Sequence, residues 1–137
     1  MNYQKRIVQL QKRLAQRDID AVVLTRRFVI GYYTGAFTPW SSALFVPVSG
    51  DPTLVTFAVD VPRVTADSYI KKVQPWAQGL FSQIERLVID HKLEKGTVGF
   101  EIGTAVDVGV LTAGEYLAFT RRFPDIRVEN IFADVVE

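Results

Sequence analysis

The sequence predicts an α/β fold: a three-layer α/β/α sandwich around a mixed, mostly parallel sheet of about five or six strands. Three observations lead there. Segments with helical periodicity alternate with short apolar runs along the chain. Those runs, such as Ala21-Val22-Val23-Leu24-Thr25, are apolar on both faces, as strands buried between two layers must be. One pair of runs is separated only by Ser49-Gly50-Asp51-Pro52, a connection too short for a crossover, so one hairpin interrupts the parallel pattern.

The elements follow in order. Tyr3, Ile7, Leu10 and Leu14 recur at helical spacing with Gln, Lys and Arg between them, which predicts an amphipathic helix ending near Asp18. Ala21–Thr25 is the first strand. The stretch Arg26 to Trp40 (RRFVIGYYTGAFTPW) reads as a connection, with Tyr32, Thr34 and Gly35 forming a turn out of that strand and Gly35 holding a positive φ angle. Ala43–Val48 and Thr53–Val59 are the two hairpin strands. Pro62-Arg63 opens a short helix through about Asp67, since proline is tolerated in a first turn. Tyr69–Trp76 reads as a strand stopped by Pro75. Leu80, Ile84, Leu87, Val88 and His91 share one face of a second main helix, 80–92, and Thr97–Ile102 is the strand after it. Thr112 and Glu115 have capping-box spacing ahead of Tyr116, Phe119 and Phe123, a third main helix that Pro124 ends. Ile126–Asn130 is a last short strand. With no internal repeat, low-complexity segment or linker, residues 1–137 are expected to form one domain.

Composition narrows the function classes. At 137 residues the chain is long enough to bury nearly 70% of its unfolded surface, so it has a sizeable core. The net charge of +1 and scattered basic pairs indicate neither nucleic acid nor an anionic membrane as a partner. There is no cysteine, which removes disulfides and thiolate chemistry and fits a reducing compartment. The N-terminus has no apolar signal region, and no run approaches the roughly 20 apolar residues of a membrane span, so a cytoplasmic location is the expectation.

Chemistry is sparse. His91, the only histidine, lies near a helix end, where a protonated imidazole facing the negative end of the helix dipole is the expected role. One histidine and no cysteine do not make a zinc site or a Cys-His pair. Glu101 stands out as a carboxylate within an apolar strand; a hydrogen-bonded structural acid is the expectation. No phosphate-cradling glycine motif and no G-x-S-x-G elbow occurs. As a free-standing enzyme the sequence looks empty.

The order of a helix, Ile19-Asp20-Ala21-Val22-Val23-Leu24-Thr25, then Ile30-Gly31-Tyr32-Tyr33-Thr34-Gly35, resembles the N-terminal domain of the creatinase/prolidase/aminopeptidase P family. LFVPVSGDPTLVTF resembles that family's hairpin, DSYIKKVQPW its next strand, GTVGFEIG the strand after its second main helix, and LTAGEYLAF its third helix, so the similarity spans essentially the whole chain. The sequence departs from the family at Val29, where an asparagine is usual, and at Tyr33, where an aliphatic residue is usual.

The resemblance implies a division of labour. Catalysis in such proteins belongs to a separate C-terminal domain, absent from this chain, whose two Asp, one His and two Glu ligands hold two divalent metal ions (manganese, cobalt or zinc). These activate water against an Xaa-Pro peptide bond. No catalytic residue and no metal ligand is therefore assigned here, and the chain stops at NIFADVVE, about where the family's linking helix would begin. The N-terminal domain implied by the resemblance contributes to a homodimer and borders the partner subunit's active site, where it gates short proline-containing peptides. The residues this implies are Phe37 and Trp40, walling an apolar pocket, and Arg26 or Arg27, meeting a peptide carboxylate. The alternative for the two aromatics is that they cover the end of the sheet. A peptide-binding module without catalysis, and the N-terminal domain of a creatinase-like amidinohydrolase, stay open as alternatives.

Overall fold

The structure is a computed structural model that describes residues 2–103 and 110–132. The first helix, α1, spans Tyr3–Gln16; the Asn2 side chain caps it by accepting from Lys5 N at 3.0 Å. Strand β1 is Ala21–Leu24, and α2 is Arg27–Thr34. The hairpin strands β2 (Ala43–Pro47) and β3 (Thr53–Phe57) are followed by a 3-10 turn and α3, Val61–Asp67. Next come β4 (Val73–Trp76), α4 (Leu80–Asp90), β5 (Thr97–Phe100), α5 (Ala113–Arg122) and β6 (Arg127–Asn130). Residues 133–137, where the start of a linking helix is anticipated, lie outside the described residues.

The six strands form one sheet in the order β4-β3-β2-β1-β5-β6. β1 pairs parallel with β5, β5 with β6 and β3 with β4, while β2 is antiparallel to both β1 and β3. The sheet is mixed and mostly parallel. Alternation along each strand divides two cores. Val22 and Leu24 of β1 face Ile7, Leu10 and Leu14 of α1 and Val29, Ile30 and Tyr33 of α2. Ala21 and Val23 point the other way, into Ile84, Leu87 and Val88 of α4 and Phe119 and Phe123 of α5. Each β1 residue is wholly buried, which accounts for the run being apolar on both faces. The capping box of α5 is formed: Thr112 N donates to Glu115 Oε1 at 2.9 Å and Glu115 N to Thr112 Oγ1 at 3.2 Å.

Three expectations are corrected. The connection after β1 opens with a helix: Tyr32 and Thr34 lie in the last turn of α2, and only Gly35 is the left-handed residue that ends it. Weak propensity hid this helix, because it has a central glycine, three β-branched residues and no side-chain N-cap. Burial of Val29, Ile30 and Tyr33 compensates; the two family departures are thus core positions. Second, Tyr69–Lys72 precedes the sheet instead of joining it as strand, although Ile70 is buried in the α1–α3 core. Third, His91 packs 4.8 Å from the Phe45 ring, and its pKa is lowered, by burial first and by Lys72 second, against Asp90. The neutral imidazole is favoured there, not a charged helix-end partner. Its contribution to stability is therefore present above the unfolded pKa and lost as the pH falls through the lowered folded value.

Gly35 has φ +79°, and its N–H closes the helix by donating to Gly31 O at 2.8 Å. A Cβ there would sit 2.9 Å from the Tyr3 hydroxyl oxygen and 3.0 Å from Cζ. Gly35→Ala combines left-handed strain with displacement of Tyr3, and the expected loss is about 1–2 kcal/mol. Thermal unfolding checks it; an unchanged melting temperature would count against the cap.

Candidate binding edge at the carboxyl end of the sheet

Because β2 alone runs against the others, five strands end at one edge of the sheet, the edge at which open α/β sheets place their ligands. Thr25 and Arg26 follow β1 there, Glu101 follows β5, Trp76 closes β4 and Phe57 closes β3. The loop from α2 to β2, which carries Phe37 and Trp40, also lies at this edge.

The edge has a buried polar centre. Glu101 is fully buried and forms an ion pair with Arg26 through Oε2 and Nε. Its Oε1 accepts the backbone N–H groups of Thr25 at 2.6 Å and Arg26 at 3.0 Å. Arg26 Nη2 donates to Phe132 O at 3.0 Å, and the guanidinium carbon lies 4.1 Å from the Phe132 ring centroid and 5.2 Å from that of Phe28. The parallel register explains the meeting. Val23 is opposite Phe100, so the residues just past the two strand ends come together although 75 positions separate them.

Around this centre the surface is apolar. Phe28, Phe37 and Trp40 are each more than 60% exposed, a large fraction for aromatic side chains. Phe28 and Phe37 flank a cleft of about 390 Å³ that also touches Tyr3 and Arg27 and has Gly31 and Gly35 in its wall. Arg63 Nη2 fixes the loop by donating to Phe37 O at 3.0 Å. Trp40 leans on Phe57, ring centroids 6.2 Å apart, and Phe57 on Trp76 at 4.9 Å. Trp76 Nε1 donates to Ser41 O at 2.7 Å.

The residues singled out from the sequence therefore separate. Phe37, Trp40 and Arg27 are exposed at the edge. Arg26 is turned inward and committed to Glu101, so the carboxylate it meets is the domain's own. Tyr32, half-buried, carries the Arg6 guanidinium 3.9 Å over its ring. Thr34 is fully buried; its Oγ1 donates to Ile30 O at 2.8 Å and accepts Ala36 N at 3.1 Å. Sequence reasoning missed Phe28 and the Trp40–Phe57–Trp76 series. It treated Glu101 and Arg26 separately; the available signal was one charged residue just beyond each of two apolar strands. Among the described residues no group of three or more His, Cys, Asp or Glu is placed to hold a metal ion, and no helix is long and apolar enough to cross a membrane.

The fold is thus an α/β sandwich that carries exposed aromatic side chains beside a closed polar centre. Residues 6–135 match the model of the Creatinase/Prolidase N-terminal domain, and the chain belongs to that family. No curated protein matches the sequence. Among solved structures, a proline dipeptidase from Streptococcus pneumoniae is similar at 19% identity and TM-score 0.74, covering 92% of this chain and 90% of that one. An Xaa-Pro dipeptidase from Bacillus anthracis (16% identity, TM-score 0.77) covers 97% of this chain but 35% of its own. A prolidase from Thermococcus sibiricus (15%, TM-score 0.79) covers 99% and 36%. The chain thus spans about a third of the latter two proteins.

Proposed function

We propose that this chain is the non-catalytic N-terminal domain of a metal-dependent Xaa-Pro dipeptidase or aminopeptidase, contributing dimerisation and substrate gating. The observation that carries the reading is the exposed pair Phe37 and Trp40 on the loop at the carboxyl end of the sheet, in a chain of this family. A solvated tryptophan leaning on Phe57 offers a flat apolar wall for a proline ring or a substrate side chain, and Arg27 at the neighbouring cleft offers a donor fork for a peptide carboxylate.

The described residues do not fit a two-metal centre: no three His, Cys, Asp or Glu among them gather, and both oxygens of Glu101 are occupied within the fold. In this reading two divalent ions, manganese, cobalt or zinc, belong to a catalytic domain that follows on the same polypeptide. That domain, a second subunit and short proline-containing peptides are the partners, and the setting is cytoplasmic. That two of the similar structures extend well beyond the matched region supports the arrangement.

The test is Trp40→Ala in the full-length enzyme, assayed on Xaa-Pro dipeptides, longer Xaa-Pro peptides and creatine. The expected result is a raised KM or altered length preference on the Xaa-Pro substrates, with little change in melting temperature. Loss of about 3 kcal/mol or more of stability would instead make Trp40 a packing residue. Turnover of creatine alone would assign the chain to an amidinohydrolase.

A further inference from the structure

We propose that Arg26 is a positioning residue that fixes how the polypeptide leaves the sheet after β6, tying that exit to the ends of β1 and β5 and to the Phe28 wall of the cleft. The anchor is rigid because Glu101 is held from two sides: one oxygen takes the guanidinium and the other takes two backbone N–H groups at the start of α2. From that anchor Arg26 reaches Phe132 twice, through Nη2 to the carbonyl oxygen and through the guanidinium to the ring. The strand ladder does not reach that carbonyl. Beyond Asn130, Ile131 N still pairs with Phe100 O at 2.9 Å, whereas Phe132 N turns back to Asn130 Oδ1 at 3.0 Å.

Only arginine meets these demands together. Its Nε and Nη2 donate in different directions from one plane, and that plane also packs against aromatic rings. Lysine supplies a single point charge for Glu101 and forfeits the rest. Because Phe28 lies 5.2 Å from the same guanidinium, the exit and the cleft wall share one support. This inference does not rest on the peptidase reading.

The experiment is amide hydrogen exchange by NMR on the 137-residue chain, comparing wild type with Arg26→Lys, Phe132→Leu and Phe132→Tyr. Arg26→Lys and Phe132→Leu should accelerate exchange at Ile131 and Phe132 by at least about tenfold relative to Val23 and Val98, which report opening of the central strands. Phe132→Tyr, which keeps the ring, should exchange like wild type. Unchanged exchange at Ile131 and Phe132, or acceleration shared equally with the strand amides, would overturn the proposal. Should Arg26→Lys fail to fold, Phe132→Leu decides, because it leaves the buried ion pair intact.

Discussion

Glu101→Ala is expected to lower stability by about 3–5 kcal/mol, the range for breaking a buried ion pair by removing one partner. The cost has two sources. Arg26, only 7% exposed, loses the ion pair that Glu101 supplies to its guanidinium. The N–H groups of Thr25 and Arg26 also lose the acceptor they share. For a chain of this length the melting temperature should fall by roughly 10–15 °C. Glu101→Gln keeps an acceptor for the two N–H groups but turns an NH2 toward Arg26 Nε, so it should recover only the part of the loss that those N–H groups carry. In urea titrations the midpoint should move with the slope unchanged. The double variant Arg26→Met/Glu101→Ala should be more stable than the sum of its single losses implies, by at least about 1 kcal/mol, since removal of the first partner already exacts most of the penalty. Strict additivity would mean that the two side chains do not stabilise one another, and the account of the buried centre would fail with it.

The same pair shows where the sequence was legible and where it stopped. The amphipathic α1, the Ser-Gly-Asp-Pro hairpin and the Thr112–Glu115 capping box are local signals, each carried by a few residues within one turn or two strands, and each appears in the structure. α2 is not local in that sense. Its stability comes from Val29, Ile30 and Tyr33 entering a core built by α1 and β1, so propensity alone reads the segment as a loop. The direction of the His91 shift likewise depends on Phe45 and Lys72, both remote in sequence.

The candidate edge was legible only in outline. Phe37 and Trp40 were identifiable as aromatics in an uncharged loop, but their exposure is a property of the folded chain that the loop's sequence does not carry. Whether Arg26 faces solvent or Glu101 is decided by the β1–β5 register, which no stretch of either strand encodes by itself. Charged residues at strand ends are therefore poor single-sequence predictors of ligand contacts. In a parallel sheet, neighbouring strand ends bring such residues to each other first.

A second large effect concerns alkaline pH. Tyr33 is fully buried, packed edge-on against Tyr32 with ring centroids 5.0 Å apart. Its pKa is raised from 10.0 to about 12, by burial first, with Arg13 opposing. The folded state thus favours the neutral phenol. Below pH 10 the phenol is protonated in both states and the contribution is complete. Between about pH 10 and 12 the unfolded chain releases the proton while the folded chain retains it, so stability falls as the pH rises, by up to about 3 kcal/mol in total. Lysines and the other tyrosines titrate in the same window, so the informative quantity is the difference between wild type and Tyr33→Phe. Near pH 8 that substitution should cost about 1.5 kcal/mol, the net value of the hydrogen bond that the hydroxyl oxygen accepts from the Arg13 side chain. As the pH approaches 12 the gap should close and then reverse, because phenylalanine has no proton to lose. Parallel stability curves for the two proteins from pH 8 to 12 would show that the Tyr33 hydroxyl is not held neutral by its burial.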